Sequence, residues 1–479
     1  MSERFYGMQN KRVAFESLGC KLNYAETVQI EKEFIRRGFD VVDSSSPADV
    51  LVINTCTVTQ SADSDCRQIV RRALRNSPGA YVVVTGCYAQ GKPDEIARIE
   101  GVDLVLGAKE KFNLFDFVDD FTKNYHARIF SGPIDDLVEF GAADSALDGN
   151  GEQASGLHVT RYSGLQTRTR AFLKVQDGCN YNCSYCTIPT VRGNSRSPSI
   201  DFLVQQTKEI ASHGFKEVVL SGVNVGDYGR PEASRKPSDG QGRSFLDLLK
   251  ALEDIAGIER FRISSIEPNL LTKEIVRFVA SSAKFCKHFH VPLQSGSDDT
   301  LRKMRRRYNS TQYRETIEYI KELIPEAGIG ADVIVGFPGE SNESFERSYD
   351  FAESLPLSYL HVFSYSERAG TDAGGYHGSV DPRVRRKRSE LMRMLSARKR
   401  YEFNRQHVGK ILRVLIEDEV KSGKVFGFTS NYVRVEIPLA NASNGAEPPV
   451  EAGSTHANEI SDVLITGVSD NTVLGQVIL

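Results

Sequence analysis

A chain of 479 residues exceeds one ordinary domain, and roughly two to four are expected. With 40% apolar and 26% charged residues it has the profile of a soluble globular protein, and a net charge of −3 excludes a generic polyanion binder. Residues 1–12 hold no signal-peptide run, and no stretch nears the roughly 18 consecutive apolar residues of a membrane span, so a cytoplasmic location without a membrane partner is expected.

Residues 11–123 alternate strands and helices. Apolar runs at 13–18, 50–53 and 81–85 read as strands, followed by helical patterns over 25–37, over 63–76 and from about Pro93. Such alternation predicts a Rossmann-like parallel sheet covered by helices on both faces. Residues 124–164, with A-A-D-S-A-L-D-G-N-G-E-Q-A-S-G among them, have little apolar content and no period, and read as an exposed linker. Over 165–397 the alternation resumes, with strand candidates at 171–175, 217–220, 260–265, 287–291, 329–335 and 359–363. These units predict a partial (β/α)6 barrel or an open, curved parallel sheet, in either of which the chemistry would sit at the carboxyl ends of the strands. Residues 398–479 carry short β-rich runs at 410–416, 425–429, 432–437, 463–468 and 473–479, with a Gly/Pro/Asn/Ser-rich loop across 440–458. They predict a small β-barrel, and partly open five-stranded barrels often bind oligonucleotides. The whole is an α/β multidomain chain.

Two basic runs interrupt this pattern: Arg302, Lys303, Arg305, Arg306 and Arg307, then Arg383, Arg385, Arg386, Lys387 and Arg388, followed by Arg398, Lys399 and Arg400. They are either solvated helix faces or a localised phosphate-binding surface.

The eight cysteines carry more information. A reducing compartment argues against a disulfide framework, and their spacing argues for metal. Cys179, Cys183 and Cys186 form a Cys-x3-Cys-x2-Cys loop after a predicted strand. Thiolates suit iron–sulfur clusters or zinc, but a structural zinc site is normally closed by four ligands, and no fourth Cys or His lies close by. Three cysteines holding a 4Fe–4S cube leave one iron open; zinc or unliganded thiols are the alternative. Cys20, Cys56 and Cys87 are dispersed, each at the carboxyl end of a predicted strand, where a parallel sheet brings such ends to one edge. Their alternative is simple packing. Cys66, on a predicted helix, and Cys286, before a strand, read as packing residues.

The Cys179–Cys186 loop resembles the signature of the radical S-adenosylmethionine superfamily. With Gly19-Cys20-Lys21-Leu22-Asn23, Asn54-Thr55-Cys56-Thr57-Val58-Thr59 and Val84-Thr85-Gly86-Cys87-Tyr88-Ala89-Gln90, the chain resembles the methylthiotransferase family from about residue 11 to the end. These motifs look like the branch acting on N6-threonylcarbamoyladenosine at position 37 of transfer RNA; Lys21-Leu22 stands where the isopentenyl-adenosine branch usually has Gln-Met and the ribosomal-protein branch Pro-Lys. The resemblance implies an auxiliary-cluster domain at 11–123, a linker at 124–164, a radical core at 165–397 and a TRAM-like RNA-binding barrel at 398–479. It implies a radical-generating 4Fe–4S cluster on Cys179, Cys183 and Cys186 and an auxiliary 4Fe–4S cluster on Cys20, Cys56 and Cys87. Two molecules of S-adenosylmethionine would serve, one methylating sulfur and one supplying a radical that starts modification of the unactivated adenine C2. Ser221, Gly222, Asn224, Glu267 and Gln294 end strands on the same rim and are candidate cofactor contacts, turn and capping chemistry being their alternative. The implied partners are the anticodon stem-loop of transfer RNA, an electron donor and a sulfur source; no oligomeric state is implied. Other readings are a methylthiotransferase for isopentenyl-adenosine or a ribosomal protein side chain, and a non-catalytic iron–sulfur RNA-binding regulator.

Overall fold

The computed structural model describes residues 10–56, 60–118, 120–134, 169–230, 243–439 and 457–478. Most of the expected linker (135–164) and of the 440–458 loop (440–456) lies outside them. Among the described residues no helix is long and apolar enough to cross a membrane.

The first unit is a six-stranded sheet of β1 (Arg12–Ser17), β2 (Asp40–Val42), β3 (Val50–Thr55), β4 (Tyr81–Gly86), β5 (Leu104–Leu106) and β6 (Arg128–Phe130), in the order β2-β1-β3-β4-β5-β6. Every pairing is parallel. Strands β3 and β4 are buried along their whole length because apolar side chains fill both faces. Val13, Val50, Val52 and Val83 face the helix Lys21–Arg36 with its Ile30 and Phe34, while Leu51, Ile53, Val82 and Val84 face Cys66, Ile69 and Val70 of the helix Gln60–Asn76. Cys66 is thus a packing residue on the covering helix. The sequence pattern announces β1, β3 and β4 but not β2, β5 and β6, which are three residues each and too short to show a period. Strand β6 lies past residue 123 and pairs with β5, so the sheet continues into the stretch read as linker.

The second unit strings β7 (Arg170–Lys174), β8 (Glu217–Ser221) and β9 (Arg260–Ile263) into one parallel sheet and β10 (His288–His290), β11 (Gly328–Val335) and β12 (Tyr359–Ser364) into another. Parallel bridges Phe261–Phe285 and Ser265–His290 join them into a six-stranded half barrel. Alternation along each strand divides the two faces. Val218, Leu220, Phe261, Ile263, Phe289, Val291, Ala331, Val333 and Val335 pack outward in one core with the covering helices. The register therefore turns Lys174, Glu217, Ser221, Arg262, His288, His290, Asp332 and His361 to the inner wall, which is polar where a filled barrel would be aliphatic. Cys286 is buried just before β10.

After the helix Pro382–Arg405, strands β13 (Ile411–Lys421), β14 (Lys424–Thr429), β15 (Arg434–Pro438), β16 (Ile460–Ser469) and β17 (Thr472–Val477) close a barrel in the order β13-β14-β15-β17-β16. The barrel is closed rather than partly open, with Val414, Ile416, Val435, Val463, Ile465 and Val473 inside. Strand β13 outruns its apolar signature because Ser422 and Gly423, both at positive φ, make the two-residue turn that continues the pairing to Lys421 and Lys424. This barrel stoppers the amino-terminal end of the half barrel. Arg260 donates to the carbonyls of Phe428 (2.9 Å) and Arg413 (2.7 Å), and Asn431 donates to that of Glu326 (2.9 Å). Gly328 meets the Asn431 carbonyl where any Cβ would collide.

Candidate functional site

Three strand ends of the first sheet carry Cys20, Cys56 and Cys87. Cys20 is the N-cap of the helix Lys21–Arg36, Cys56 follows β3, and Cys87 opens a short helix after β4. Gly19, at φ 103°, is required here: a Cβ on it would stand 2.7 Å from the Cys56 Sγ. Cys87 lies within electrostatic reach of Cys20, and burial pushes its thiol pKa up. The three thiols therefore share one sheet edge, and Cys20 alone is exposed.

The Cys179–Cys186 loop follows β7. The amides of Tyr181 and Ile188 donate to the Cys179 and Cys186 sulfurs at 3.4 and 3.5 Å, and Arg306 Nη1 donates to Cys183 Sγ at 3.2 Å. Burial pushes Cys179 up to about 12 and Cys186 up to about 11, so unliganded thiols here stay protonated at neutral pH. A soft metal cluster would exchange those protons for its own charge, and amide donors to sulfur suit such a site.

Between the two cysteine sets lies a buried ionic junction that joins the two units. Arg192, 3% exposed at its side chain, donates from Nε to Cys87 Sγ (3.1 Å), from Nη2 to Asn23 (2.6 Å), and from Nη1 to Glu26 (2.9 Å) and Asp177 (3.0 Å). Lys111 reaches Glu26 at 2.7 Å; Lys174 reaches Glu26 at 3.1 Å and Asp177 at 2.6 Å; Arg196 reaches Asp177 at 2.7 Å. Burial alone would raise the Glu26 and Asp177 pKa values, but the surrounding cations hold both below the usual carboxylate range. Sequence reading missed this junction. Its visible trace is the pair Arg192 and Arg196 set directly after the cysteine loop.

The candidate cofactor contacts divide. Ser221, Gly222 and Asn224 end β8 against Gln176, whose Oε1 accepts the Asn224 amide at 2.9 Å and whose Nε2 donates to the Gly178 carbonyl at 2.8 Å. A Cβ on Gly222 would stand 3.0 Å from Gln176, a tight contact that glycine avoids. The Asn224 side-chain oxygen and nitrogen and the Ser264 hydroxyl are buried without a hydrogen-bond partner among the described residues. Orphaned donors and acceptors at strand ends fit a polar cofactor. Glu267 pairs with Arg306 and thereby with Cys183. Gln294 stands on the other side of the rim; it holds φ 63°, a strained conformation for a side-chain-bearing residue, and its backbone bonds run to Asp332 and Ile334.

The basic runs are not uniform surfaces. Arg306 is buried against Glu267; Arg385 pairs with Glu367, Arg388 with Glu340 and Arg398 with Glu353, and Lys399 caps the carbonyls of Glu353 and Leu355. Arg383, Arg386, Lys387 and Arg393 stay exposed on the helix Pro382–Arg405.

Comparison with known proteins agrees with this geometry. The Radical SAM superfamily model matches residues 173–352, and the model described as uncharacterized protein family UPF0004 matches residues 12–107. The radical S-adenosylmethionine methyltransferase TsrM of Kitasatospora setae shares the fold, with TM-score 0.53 over 76% of this chain and 77% of that one at 13% identity. Half barrel, cysteine loop and superfamily match together define a radical S-adenosylmethionine enzyme, which uses that cofactor and a 4Fe–4S cluster. The threonylcarbamoyladenosine tRNA methylthiotransferases MtaB of Aquifex aeolicus and Bacillus subtilis are 38% and 36% identical, over 89% and 88% of this chain and 96% and 89% of theirs. The tRNA-2-methylthio-N(6)-dimethylallyladenosine synthase of Symbiobacterium thermophilum is 32% identical over 93% of each chain. The chain belongs to the radical S-adenosylmethionine tRNA methylthiotransferase family.

Proposed function

We propose that this enzyme adds a methylthio group to C2 of N6-threonylcarbamoyladenosine at position 37 of transfer RNA, in the cytoplasm, drawing on an electron donor and a sulfur source. The observation that carries the reading is the placement of two cysteine triads on either side of one buried junction, with Arg192 in contact with both units. When bound, one 4Fe–4S cluster with S-adenosylmethionine supplies a 5′-deoxyadenosyl radical, and a second supplies sulfur that another S-adenosylmethionine methylates.

The chain's own groups do the rest. Cys179, Cys183 and Cys186 would hold the radical-generating cluster, and Cys20, Cys56 and Cys87 the auxiliary one. Ser221, Gly222, Asn224, Glu267 and Gln294 would orient the cofactor, the turn at Gly222 allowing close backbone approach. The buried junction around Arg192 would hold the two units in register beside the triads. The barrel and the exposed cations of the helix Pro382–Arg405 would take the anticodon stem-loop by its phosphates, and the target base would leave its stack to reach the rim.

Nucleoside mass spectrometry after reaction of the reconstituted enzyme with a defined transfer RNA tests the reading. It predicts 2-methylthio-N6-threonylcarbamoyladenosine. Methylthio product only on isopentenyl-adenosine, or on a ribosomal protein, overturns it.

A further inference from the structure

Strand β12 closes the half barrel with Tyr359, His361 and Phe363 on its inner face, since Leu360 faces the outer core. His361 is 50% exposed at its side chain and Phe363 is 39% exposed, unusual for the inside of a barrel. Beside them, Asp332 Oδ1 takes His290 Nε2 at 3.0 Å and His361 Nδ1 at 3.3 Å. The ring centroids of His290 and His361 are 5.2 Å apart, as are those of Tyr359 and His361. Lys21 enters the same space from the first unit. It is exposed and lies within electrostatic reach of Tyr432, Arg262, Arg170, Glu217 and His288. Three further cations of the inner wall are ion-paired: Arg262 with Glu217 at 3.0 Å, Arg170 with Glu417 at 2.8 Å, and Lys174 with Glu26 and Asp177. Lys21 has no carboxylate within ion-pair distance among the described residues.

We propose that Lys21 and His361, with Asp332 held between its two histidines, form the subsite that selects an adenosine whose N6 substituent carries a carboxylate. The proposal rests on the reading of this chain as a tRNA methylthiotransferase and adds its specificity determinants. A substrate carboxylate supplies the direct ion pair that Lys21, within longer electrostatic reach of Tyr432 and Glu217, does not have, and the second Asp332 oxygen accepts the hydroxyl or N–H of the same substituent. Phe363 stands two residues nearer the cysteine rim, roughly 7 Å along the strand, and gives the base a ring to stack on. An isopentenyl group would strand the ammonium and the imidazole-bound carboxylate away from water, a mismatch that polar sites reject strongly.

The test is fluorescence anisotropy with the reconstituted full chain and three synthetic anticodon stem-loops carrying N6-threonylcarbamoyladenosine, N6-isopentenyladenosine or adenosine. Lys21→Met and His361→Phe should each weaken binding of the first by about tenfold or more, roughly 1.4 kcal/mol, and leave the other two unchanged. Lys21→Arg, which keeps the charge, should keep the preference; iron content and thermal midpoint equal to wild type certify each variant. Unchanged preference in both variants, or equal loss for all three RNAs, overturns the subsite. Methylthio product on the first RNA together with such results sinks the subsite alone. No methylthio product on any of the three from wild type sinks the parent reading, while the anisotropy still judges the pocket.

Discussion

Arg192 joins two cysteine environments through one planar fork, and a single fork can hold Cys87, Asn23, Glu26 and Asp177 only because guanidinium donors are fixed in one plane. Replacing it by methionine removes one cation from each of Glu26 and Asp177, which keep Lys111, Lys174 and Arg196, and the lost charge-assisted hydrogen bonds typically cost about 1.5–3 kcal/mol. Arg192→Met should therefore lower the denaturation midpoint of the metal-free chain and the iron retained after reconstitution. Arg192→Lys should restore charge but not the fork, and recover only part of both. Wild-type stability in Arg192→Met would show that the junction contributes little. None of this geometry is written in the local pattern of the chain. The cysteine loop is legible because its ligands are contiguous, whereas Glu26, Lys111 and Arg192 meet only after two units dock.

At the scale of elements, long regular segments were readable and short or docked ones were not. The half-barrel strands announce themselves by alternating an aliphatic outer face with a polar inner one, and the closed barrel by its short β-branched runs. The basic helix Pro382–Arg405 illustrates the limit: one run of arginines contains both Arg388, buried on Glu340 at 2.7 Å, and Arg386, exposed, because a helix turns consecutive residues to different faces. Reversing Arg386, Lys387 and Arg393 to glutamate should weaken transfer RNA binding and flatten its log–log salt dependence by about two to three. An unchanged salt slope would remove this helix from the RNA surface. Deleting the barrel is a poorer probe, since Arg260 and Arg262 would lose carbonyl partners and the half barrel its stopper.

For the whole molecule, the junction links acid stability to the docking of the two units. Glu26 and Asp177 are depressed in the native state, so their contribution is complete above about pH 4.5, where unfolded carboxylates are ionised. It is lost as the pH falls from there through the depressed native values. The gap between the urea midpoints of the metal-free wild type and Glu26→Gln, which isolates this contribution from that of other titrating groups, should be constant from neutral pH down to about pH 4.5 and shrink below it.

The proposed chemistry requires two separate cluster sites in one polypeptide. Anaerobic reconstitution followed by iron counting and Mössbauer spectroscopy measures this directly. Two cubes, about eight iron atoms per chain, are expected for wild type, and about four when Cys20, Cys56 and Cys87 are all changed to alanine. That variant should still release 5′-deoxyadenosine yet form no methylthio product. One cube per wild-type chain, or methylthio product from the triple variant, would contradict the central claim.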